Sequence, residues 1–318
     1  MRFGFYLPTR GPLANRADLA RFVQAGEAAG FASVMIADHI AFPMEIASKY
    51  PYTVDGSFPG QGDSLEQLAT MAFIAGVTKR LRLVSSVMIL PHRNPVVTAK
   101  MLASIDVLSE GRVTVGVGVG WLREEFEALN ALDFDKRGAV SNEFLEIFKA
   151  LWTDSPATHK GEFYQFERLR CEPLPLQKPH PPIWIGGHSK PALRRAAKYG
   201  DGWHPVGAIA ASPIPPDEMR AKLDELKRLT EAEGRDFDTL TISFKAPLYD
   251  TEIKDVDGKR LSFSGPPEQV VEDIGTYADL GISELIFDFR TDTIDESIER
   301  MDKFSREIMP LVQGVAED

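Results

Sequence analysis

The chain has 318 residues, of which 43% are hydrophobic, so it is long enough to bury a large core. Its 36 basic and 47 acidic residues give a formal net charge of -11, which argues against nucleic acid and anionic membranes as main partners. The single cysteine, Cys171, excludes an internal disulfide and a cysteine zinc cluster.

Strands alternate with helices along the chain. Helical periodicity is found at 16–29, 64–78, 96–109, 136–152, 189–199, 216–233, 267–280 and 294–308. Apolar strand patterns lie near Phe3, Ser33, Arg82, Val113, Ile183, Gly202, Leu240 and Glu284. Alternation of this kind indicates a parallel sheet, and eight units in this length fit a (βα)8 TIM barrel, with an open doubly wound sheet as the alternative. We expect a single α/β domain over residues 1–318.

Two features refine this expectation. Four predicted helices are followed by a glycine, at Gly30, Gly111, Gly200 and Gly281, a residue that suits the left-handed position just past a helix. Three connections are too long for simple turns, at 41–62, 154–182 and 246–265, and the second contains a predicted hairpin around Lys160-Gly161. The first and third follow the carboxyl ends of strands, which form the active-site face of a barrel.

The N-terminal segment MRFGFYLP enters a strand directly and has no signal-peptide pattern. No apolar run approaches the length needed to span a membrane. We therefore expect a cytoplasmic protein that is neither membrane-bound nor a partner of nucleic acid.

Polar residues close the second and third predicted strands. Asp38 and His39 end the second strand, where a carboxylate and an imidazole would face a barrel's active site. A turn-capping Asp and a packed His are the structural alternative. After the third strand, the segment PHRNP supplies Arg93 and Asn94, which are either donors for a polar ligand or parts of a rigid turn that starts a helix.

A glycine-rich strand, GVGVGW, runs from Gly116 to Trp121. It lacks the third glycine of the dinucleotide-binding pattern GxGxxG, since that position is Trp121, and Glu124 and Glu125 would repel a phosphate at the next helix. The glycines either let a flat ring approach the backbone, with Trp121 at its edge, or are required by close packing within the barrel.

A second glycine segment is Gly186-Gly187-His188-Ser189, between a strand and a helix. Ser189 can cap the helix, and the free N–H groups at its start form an anion site, so a phosphate is the favoured ligand here. A further Trp-His pair, Trp203 and His204, ends the next strand, where core packing explains the tryptophan as well as ligand stacking does.

Other chemistries find no support in the sequence. The six histidines show no metal-ligand spacing, so no metal site is expected. The chain has no GxSxG nucleophile elbow, no GxxxxGK[ST] phosphate loop and no basic stripe with interleaved aromatics.

The combined segments resemble the bacterial luciferase-like superfamily of flavin-type oxidoreductases, and most closely its branch that uses the deazaflavin coenzyme F420. They are GFYLP, AGEAAGFASVMIADH, SSVMILPHRNPVVTAKMLASIDVLSEGR, VGVGVGWLREEFEALN, WIGGHS and AAKYGDGWHP, which cover most of residues 1–206. The resemblance implies a (βα)8 barrel with an insertion, here 154–182, and a cofactor at the carboxyl ends of the strands.

The resemblance also implies roles for individual residues. A non-prolyl cis peptide is expected at Ser86-Val87, against the cofactor ring, with Gly118 and Gly120 nearby. Asp38 and His39 match the pair beside the reactive ring, with His39 as the proton donor or acceptor. Gly186 and Gly187, with His188 and Ser189, match the loop that receives the cofactor phosphate. Where sugar-phosphate dehydrogenases of this branch have a catalytic glutamate, this chain has Trp121.

We therefore predict an oxidoreductase that transfers a hydride between F420 and a small organic substrate. An FMN-dependent two-component monooxygenase that uses O2 is the first alternative, a non-catalytic flavin-binding protein is the second, and a cofactor-free barrel lyase or isomerase is the third. The family suggests a homodimer and a possible flavin or F420 reductase as a partner.

Overall fold

The computed structural model describes residues 1–60, 64–249 and 251–313. Its main sheet is a closed barrel of parallel strands, which confirms the predicted TIM barrel and excludes the open sheet. The barrel strands are β1 Arg2–Tyr6, β2 Ser33–Ile36, β3 Arg82–Ser85, β4 Val113–Gly118, β5 Ile183–Gly186, β6 Gly202–His204, β7 Thr241–Leu248 and β8 Glu284–Asp288. A short strand, Met88–Ile89, continues β3 after an interruption and pairs with β4.

A helix follows each barrel strand. These helices are α1 Arg16–Ala28, α2 Gln67–Val77, α3 Pro95–Leu108, α4 Arg137–Thr153, α5 Lys190–Tyr199, α6 Pro216–Ala232, α7 Pro267–Asp279 and α8 Ile294–Glu307. Two shorter helices, Arg123–Ala128 and Met309–Gln313, lie after β4 and after α8. None of the helices in the described ranges is long and apolar enough to cross a bilayer.

Alternation along the strands separates two apolar layers. Phe5, Val34 and Leu83 point outward into the large core between the sheet and the helices. Their neighbours Tyr6, Met35 and Val84 point inward, and together with Trp184 and Ile286 they fill the interior of the barrel. Since side chains plug the interior, an open site can form only beyond the strand ends.

The glycines after the helices fall into two groups. Gly30, Gly111 and Gly281 have φ values of 88°, 80° and 92°, the left-handed conformation that was predicted. Gly200 differs, because its φ is -81° and its backbone is extended. A Cβ there would lie 3.0 Å from the carbonyl oxygens of Ala196 and Gly202, so close contacts favour a glycine here. The left-handed prediction for Gly200 was therefore wrong.

The long connections lie where the sequence predicted them. The connection after α4 contains an antiparallel hairpin of Ala157–Lys160 and Gln165–Leu169. The connection after β7 contains a small hairpin of Asp255–Val256 and Lys259–Arg260. The C-terminal end of the first predicted connection, at 61–62, lies outside the described residues, as does residue 250 in the third.

Candidate active site

A cavity of about 1020 Å³ opens at the carboxyl ends of the barrel strands. Residues predicted from the sequence line it on several sides: Asp38, His39, Ser86, Val87, Gly118, Gly120, Gly186, Gly187 and Ser189. His188 does not line it, and burial lowers the pKa of its imidazole. The closed barrel thus brings together segments that are far apart in sequence, at the face where TIM barrels carry their sites.

His39 is held by a carboxylate for which the sequence predicted no role at the site. Its Nδ1 lies 2.6 Å from Oε2 of Glu125, a fully buried residue of the short helix Arg123–Ala128. The other oxygen of Glu125 accepts hydrogen bonds from the backbone N–H groups of Ile40 and Ala41. Because a carboxylate only accepts, Nδ1 carries the hydrogen, which leaves Nε2 of His39 as the atom that can exchange a proton.

The electrostatics of Glu125 favour its charged form. Burial, the largest single influence, acts to raise the pKa of this carboxyl, but His39, His92 and the N–H of Ile40 together outweigh it, and the pKa lies below its usual value. Glu125 lies in the short helix that follows the glycine run at a strand's carboxyl end, and that position was the available sequence signal. Its proximity to His39 depends on how the helix packs against the loop after β2.

The carboxylate of Asp38 is bound to other residues and does not hydrogen-bond the neighbouring His39. Its carboxylate accepts two hydrogen bonds from Arg93, at 2.7 and 2.8 Å, and one from the N–H of Ile89. Arg93 also donates to Glu66, so its guanidinium is occupied by protein carboxylates. Asn94 caps α3 through the N–H groups of Val96 and Val97. The segment PHRNP is therefore a structural turn, and Asp38 joins it to β2.

A third histidine, His92, lies behind Glu125. Its Nδ1 is 3.7 Å from Oε1 of Glu125, and its side chain is fully buried. Neither ring nitrogen has a hydrogen-bond partner among the described residues. Burial lowers the pKa of His92 to about 4, although Glu125 acts in the opposite direction. The ring is therefore neutral at pH 7 and packs edge-on against Phe126, with centroids 4.7 Å apart.

The cavity floor is formed by Ser86 and Val87, and the peptide bond between them is cis, as the resemblance implied. The hydroxyl of Tyr6 lies 2.6 Å from the carbonyl oxygen of Ser86. The Oγ of Ser86 lies 2.8 Å from Nε2 of His204, whose Nδ1 lies 2.6 Å from Oγ of Ser243. This buried chain of hydrogen bonds fixes the floor from below.

The position of the Val87 side chain explains why Gly118 and Gly186 lack side chains. A Cβ at Gly118 would lie 2.7 Å from Cγ2 of Val87, and a Cβ at Gly186 would lie 2.8 Å from its Cγ1. The Val87 side chain therefore fills the space left by both glycines. Of the two interpretations of this strand, close packing is the one that the structure supports at Gly118.

One end of the cavity carries two arginines that the sequence analysis did not identify. Arg137 at the start of α4 and Arg195 of α5 line it beside Gly187 and Ser189. The Nε of Arg137 is buried without a hydrogen-bond partner among the described residues. Ser189 caps α5, with its Oγ 3.4 Å from the N–H of Ala192. Two guanidinium groups and a helix N-terminus make this end suited to an anion.

Aromatic rings form the wall beside His39. Phe42 and Phe58 lie 4.6 and 5.5 Å from its ring centroid. Phe58 in turn contacts Tyr50, at 5.0 Å, and Trp121, at 5.2 Å. Trp203, by contrast, is fully buried and donates to the carbonyl oxygen of Gly187, so it belongs to the core. Trp121 therefore forms part of the wall next to His39.

Comparison with known proteins identifies the class. The profile of the luciferase-like monooxygenase family matches residues 1–254, and the chain belongs to this family. An uncharacterized protein of Mycobacterium tuberculosis is 36% identical over 272 residues, which cover 85% of each chain. The FMNH(2)-dependent dimethylsulfone monooxygenase of Pseudomonas putida is 26% identical, over 81% of this chain and 82% of its own.

Solved structures with the same fold include a monooxygenase and an F420-dependent dehydrogenase. The monooxygenase RslO1 of Streptomyces bottropensis has a TM-score of 0.74 and 23% identity, over 98% of this chain and 99% of its own. An F420-dependent secondary alcohol dehydrogenase, in complex with an F420-acetone adduct, has a TM-score of 0.75 and 18% identity, over 98% of both chains. At these identities the likeness concerns the fold, and membership in an oxidoreductase family comes from the sequence match.

Proposed function

We propose that this chain is an oxidoreductase that transfers a hydride between coenzyme F420 and a small organic substrate. The observation that carries the proposal is the pairing of His39 with the buried carboxylate of Glu125 at the edge of the cavity. Reduction of a carbonyl, or oxidation of an alcohol, requires a proton at the substrate oxygen in addition to the hydride. A histidine held in one tautomer by a carboxylate is suited to handle that proton.

The residues around the cavity fit such a cofactor. Arg137 has a buried Nε without a partner among the described residues, and with Arg195 and the start of α5 it would hold a phosphate. Val87 and Gly118 offer an apolar floor for a flat ring. The deazaflavin supplies the hydride chemistry when it is bound. With the cofactor bound, the aromatic wall would limit the access of water to the space between this floor and His39.

His39 would act at the substrate oxygen through Nε2, since Nδ1 is bound to Glu125. Glu125 would hold the ring in place and stabilise the positive charge that develops when Nε2 takes up a proton. Asp38 would contribute indirectly, because its three hydrogen bonds fasten the carboxyl end of β2 to the segment that follows the cavity floor.

Titration of the purified protein with F420 and with FMN tests the cofactor. We expect micromolar binding of F420, and micromolar binding of FMN without binding of F420 would reject the proposal. Arg137→Gln should weaken cofactor binding by about tenfold or more, because it removes a charged donor from the proposed phosphate site.

Arg123→Gln is the matched control for that substitution. Both guanidiniums lie over the Phe134 ring, Arg123 at 4.4 Å and Arg137 at 4.0 Å, but only Arg137 lines the cavity. Arg123 is bound to Asp135 near the surface. If both variants lost affinity equally, disruption of the Phe134 packing would explain the loss.

The second candidate is an FMN-dependent monooxygenase that uses O2 and a separate reductase. The similarity to a monooxygenase whose name specifies FMNH(2), over 81% of this chain, favours it. The same anion site would hold the FMN phosphate. O2 consumption with FMN and an added flavin reductase, in the presence of substrate, would distinguish this reaction from hydride transfer.

A further inference from the structure

The cavity is positively charged although the protein is acidic. The chain has a formal net charge of -11. Among the described residues that line the cavity, however, the cations are Arg10, Arg137, Arg195, Lys245 and Arg290, and the carboxylates are Asp38 and Asp288. Five cations against two carboxylates leave an excess of three positive charges. A local field opposite in sign to the whole protein indicates an anionic ligand.

The cations lie in two groups on opposite sides of the barrel. Arg137 and Arg195 follow β4 and β5, and they form the proposed phosphate end. Arg10 follows β1, Lys245 lies on β7 and Arg290 follows β8. In a closed eight-stranded barrel, β7, β8 and β1 are consecutive and lie across from β4 and β5. A phosphate bound at the first group would therefore not pair with the second group, in which Asp288 pairs with Arg290.

The second group lines the same cavity as Tyr50, from the loop after β2. Burial raises the pKa of the Tyr50 phenol, and the charges of Lys245, Arg10 and Arg290 act in the opposite direction. The Nζ of Lys245 lies 3.8 Å from the ring centroid of Tyr6. The guanidinium of Arg10 lies 5.0 Å from the Phe42 centroid and 5.1 Å from that of Phe58. Aromatic faces therefore hold two of the cations in place.

Protein carboxylates satisfy this group only in part. Arg290 is paired with Asp288 through Nε and Nη2. Lys245 and Arg10 donate no side-chain hydrogen bond to any described residue, and the Nε of Arg10 is buried. Burial lowers the pKa of Arg10, and the charge of Arg290 acts in the same direction. An anion at this position would offset both effects.

We propose that the substrate is an organic anion with an apolar body, whose carboxylate binds among Arg10, Lys245 and Arg290. This inference rests on the proposed function, because it places the substrate between that anion site and His39. Phe58 contacts both the His39 ring and the Tyr50 ring, so the aromatic wall extends from the proton-transferring group to the cations. The apolar body would lie along this wall.

Binding of two matched probes to the cofactor-loaded protein tests the proposal. Phenylbutanoate and phenylbutanamide share an apolar body and differ in the charge of the end group. We expect the carboxylate to bind about tenfold or more tightly than the amide, because its hydrogen bonds are charge-assisted. Added NaCl should reduce this ratio by screening. Equal binding of the two probes would overturn the proposal.

Lys245→Gln should remove most of the preference for the carboxylate, since Nζ of Lys245 is a cation without a carboxylate partner among the described residues. Lys303→Gln, at an exposed position on α8 away from the cavity, should leave the preference unchanged. If Lys245→Gln instead weakened cofactor binding and kept the preference, the cations would serve the cofactor, and the proposal would be wrong.

Failure of this proposal can be distinguished from failure of the proposed function. The titration with F420 and FMN measures cofactor identity without any substrate probe. The ratio of carboxylate to amide binding can be measured with either cofactor, or with neither. A protein that binds F420 and does not distinguish the two probes would reject only the anionic substrate.

Discussion

Two histidines at the carboxyl ends of barrel strands have opposite surroundings. His39, after β2, is bound to the carboxylate of Glu125 and lies against aromatic rings at the cavity edge. His204, at the end of β6, is fully buried between the hydroxyls of Ser86 and Ser243. Burial lowers the pKa of His204 to about 3, and the charge of Lys245 acts in the same direction. One histidine has an anionic partner, whereas the other has only neutral ones.

This difference suits His39 to proton transfer and His204 to a structural role under the cavity floor. The carboxylate of Glu125 fixes the His39 ring in one tautomer, as the proposed proton transfer through Nε2 requires. Burial keeps His204 neutral, and its ring supports the Ser86-Val87 floor through hydrogen bonds to two hydroxyl groups. Location at a strand end is shared by both residues and therefore does not assign a role.

The largest expected effect tests the first half of this comparison. His39→Ala should lower turnover by roughly 10²–10⁴-fold, because it removes the proposed general acid or base. Cofactor affinity should stay unchanged. His159→Ala, in the insertion hairpin and away from the cavity, is the control, and steady-state kinetics is the measurement. Unchanged turnover in the His39 variant would remove this residue from the mechanism.

Glu125→Gln should have the next largest effect. A hydrogen bond to a charged group contributes about 1.5–3 kcal/mol, which corresponds to a loss of about 10- to 100-fold in kcat. We expect the loss in kcat rather than in cofactor affinity, since Glu125 does not line the cavity.

The neighbouring Glu124 provides a matched control. It also holds the loop after β2, through the N–H groups of Ala47 and Ser48, but it does not contact His39. Glu124→Gln should therefore keep kcat close to that of the parent. Equal losses in both variants would indicate that the glutamates act only by anchoring the loop.

His204 should show its role in stability as the pH falls. A histidine with a folded pKa near 3 and an unfolded pKa near 6.5 binds fewer protons when folded, so it destabilises the fold as the pH drops below 6.5. Between pH 7 and pH 5 this costs about 2 kcal/mol of the free energy of unfolding. In urea titrations, His204→Gln should remove about that much of the pH dependence. An unaltered dependence would mean that His204 does not titrate in this way.

The sequence predicted the barrel because its signals are local. Each strand, helix and connecting glycine can be recognised within a few residues, and eight repeats leave few topologies. The insertion and its hairpin were located for the same reason. Gly200 was the exception, because a glycine there is favoured by close contacts with the carbonyl oxygens of Ala196 and Gly202 rather than by its own backbone conformation.

The site was predicted less completely because its pairs are formed across the fold. His39 could be placed at the cavity from its strand end alone. Its partner Glu125 lies 86 positions away, and Asp38 is instead bound to Arg93. The cations of the cavity come from α4, α5, β7 and the segments after β1 and β8, and no local pattern links them. Charge pairs of this kind become visible only when the closure of the barrel fixes which strand ends face each other.

The smallest expected effect concerns the floor between the two histidines. Gly118→Ala would place a Cβ 2.7 Å from Val87, so we expect a loss of order 1 kcal/mol in the free energy of unfolding from overpacking. Gly76→Ala is the control, since a Cβ there meets nothing within 4 Å and alanine favours the helix. Combining Gly118→Ala with Val87→Ala should restore part of the loss. Urea unfolding measures the stability of all three variants. A Gly118→Ala variant as stable as the parent would show that Val87 can move to accommodate the added methyl group without loss of stability.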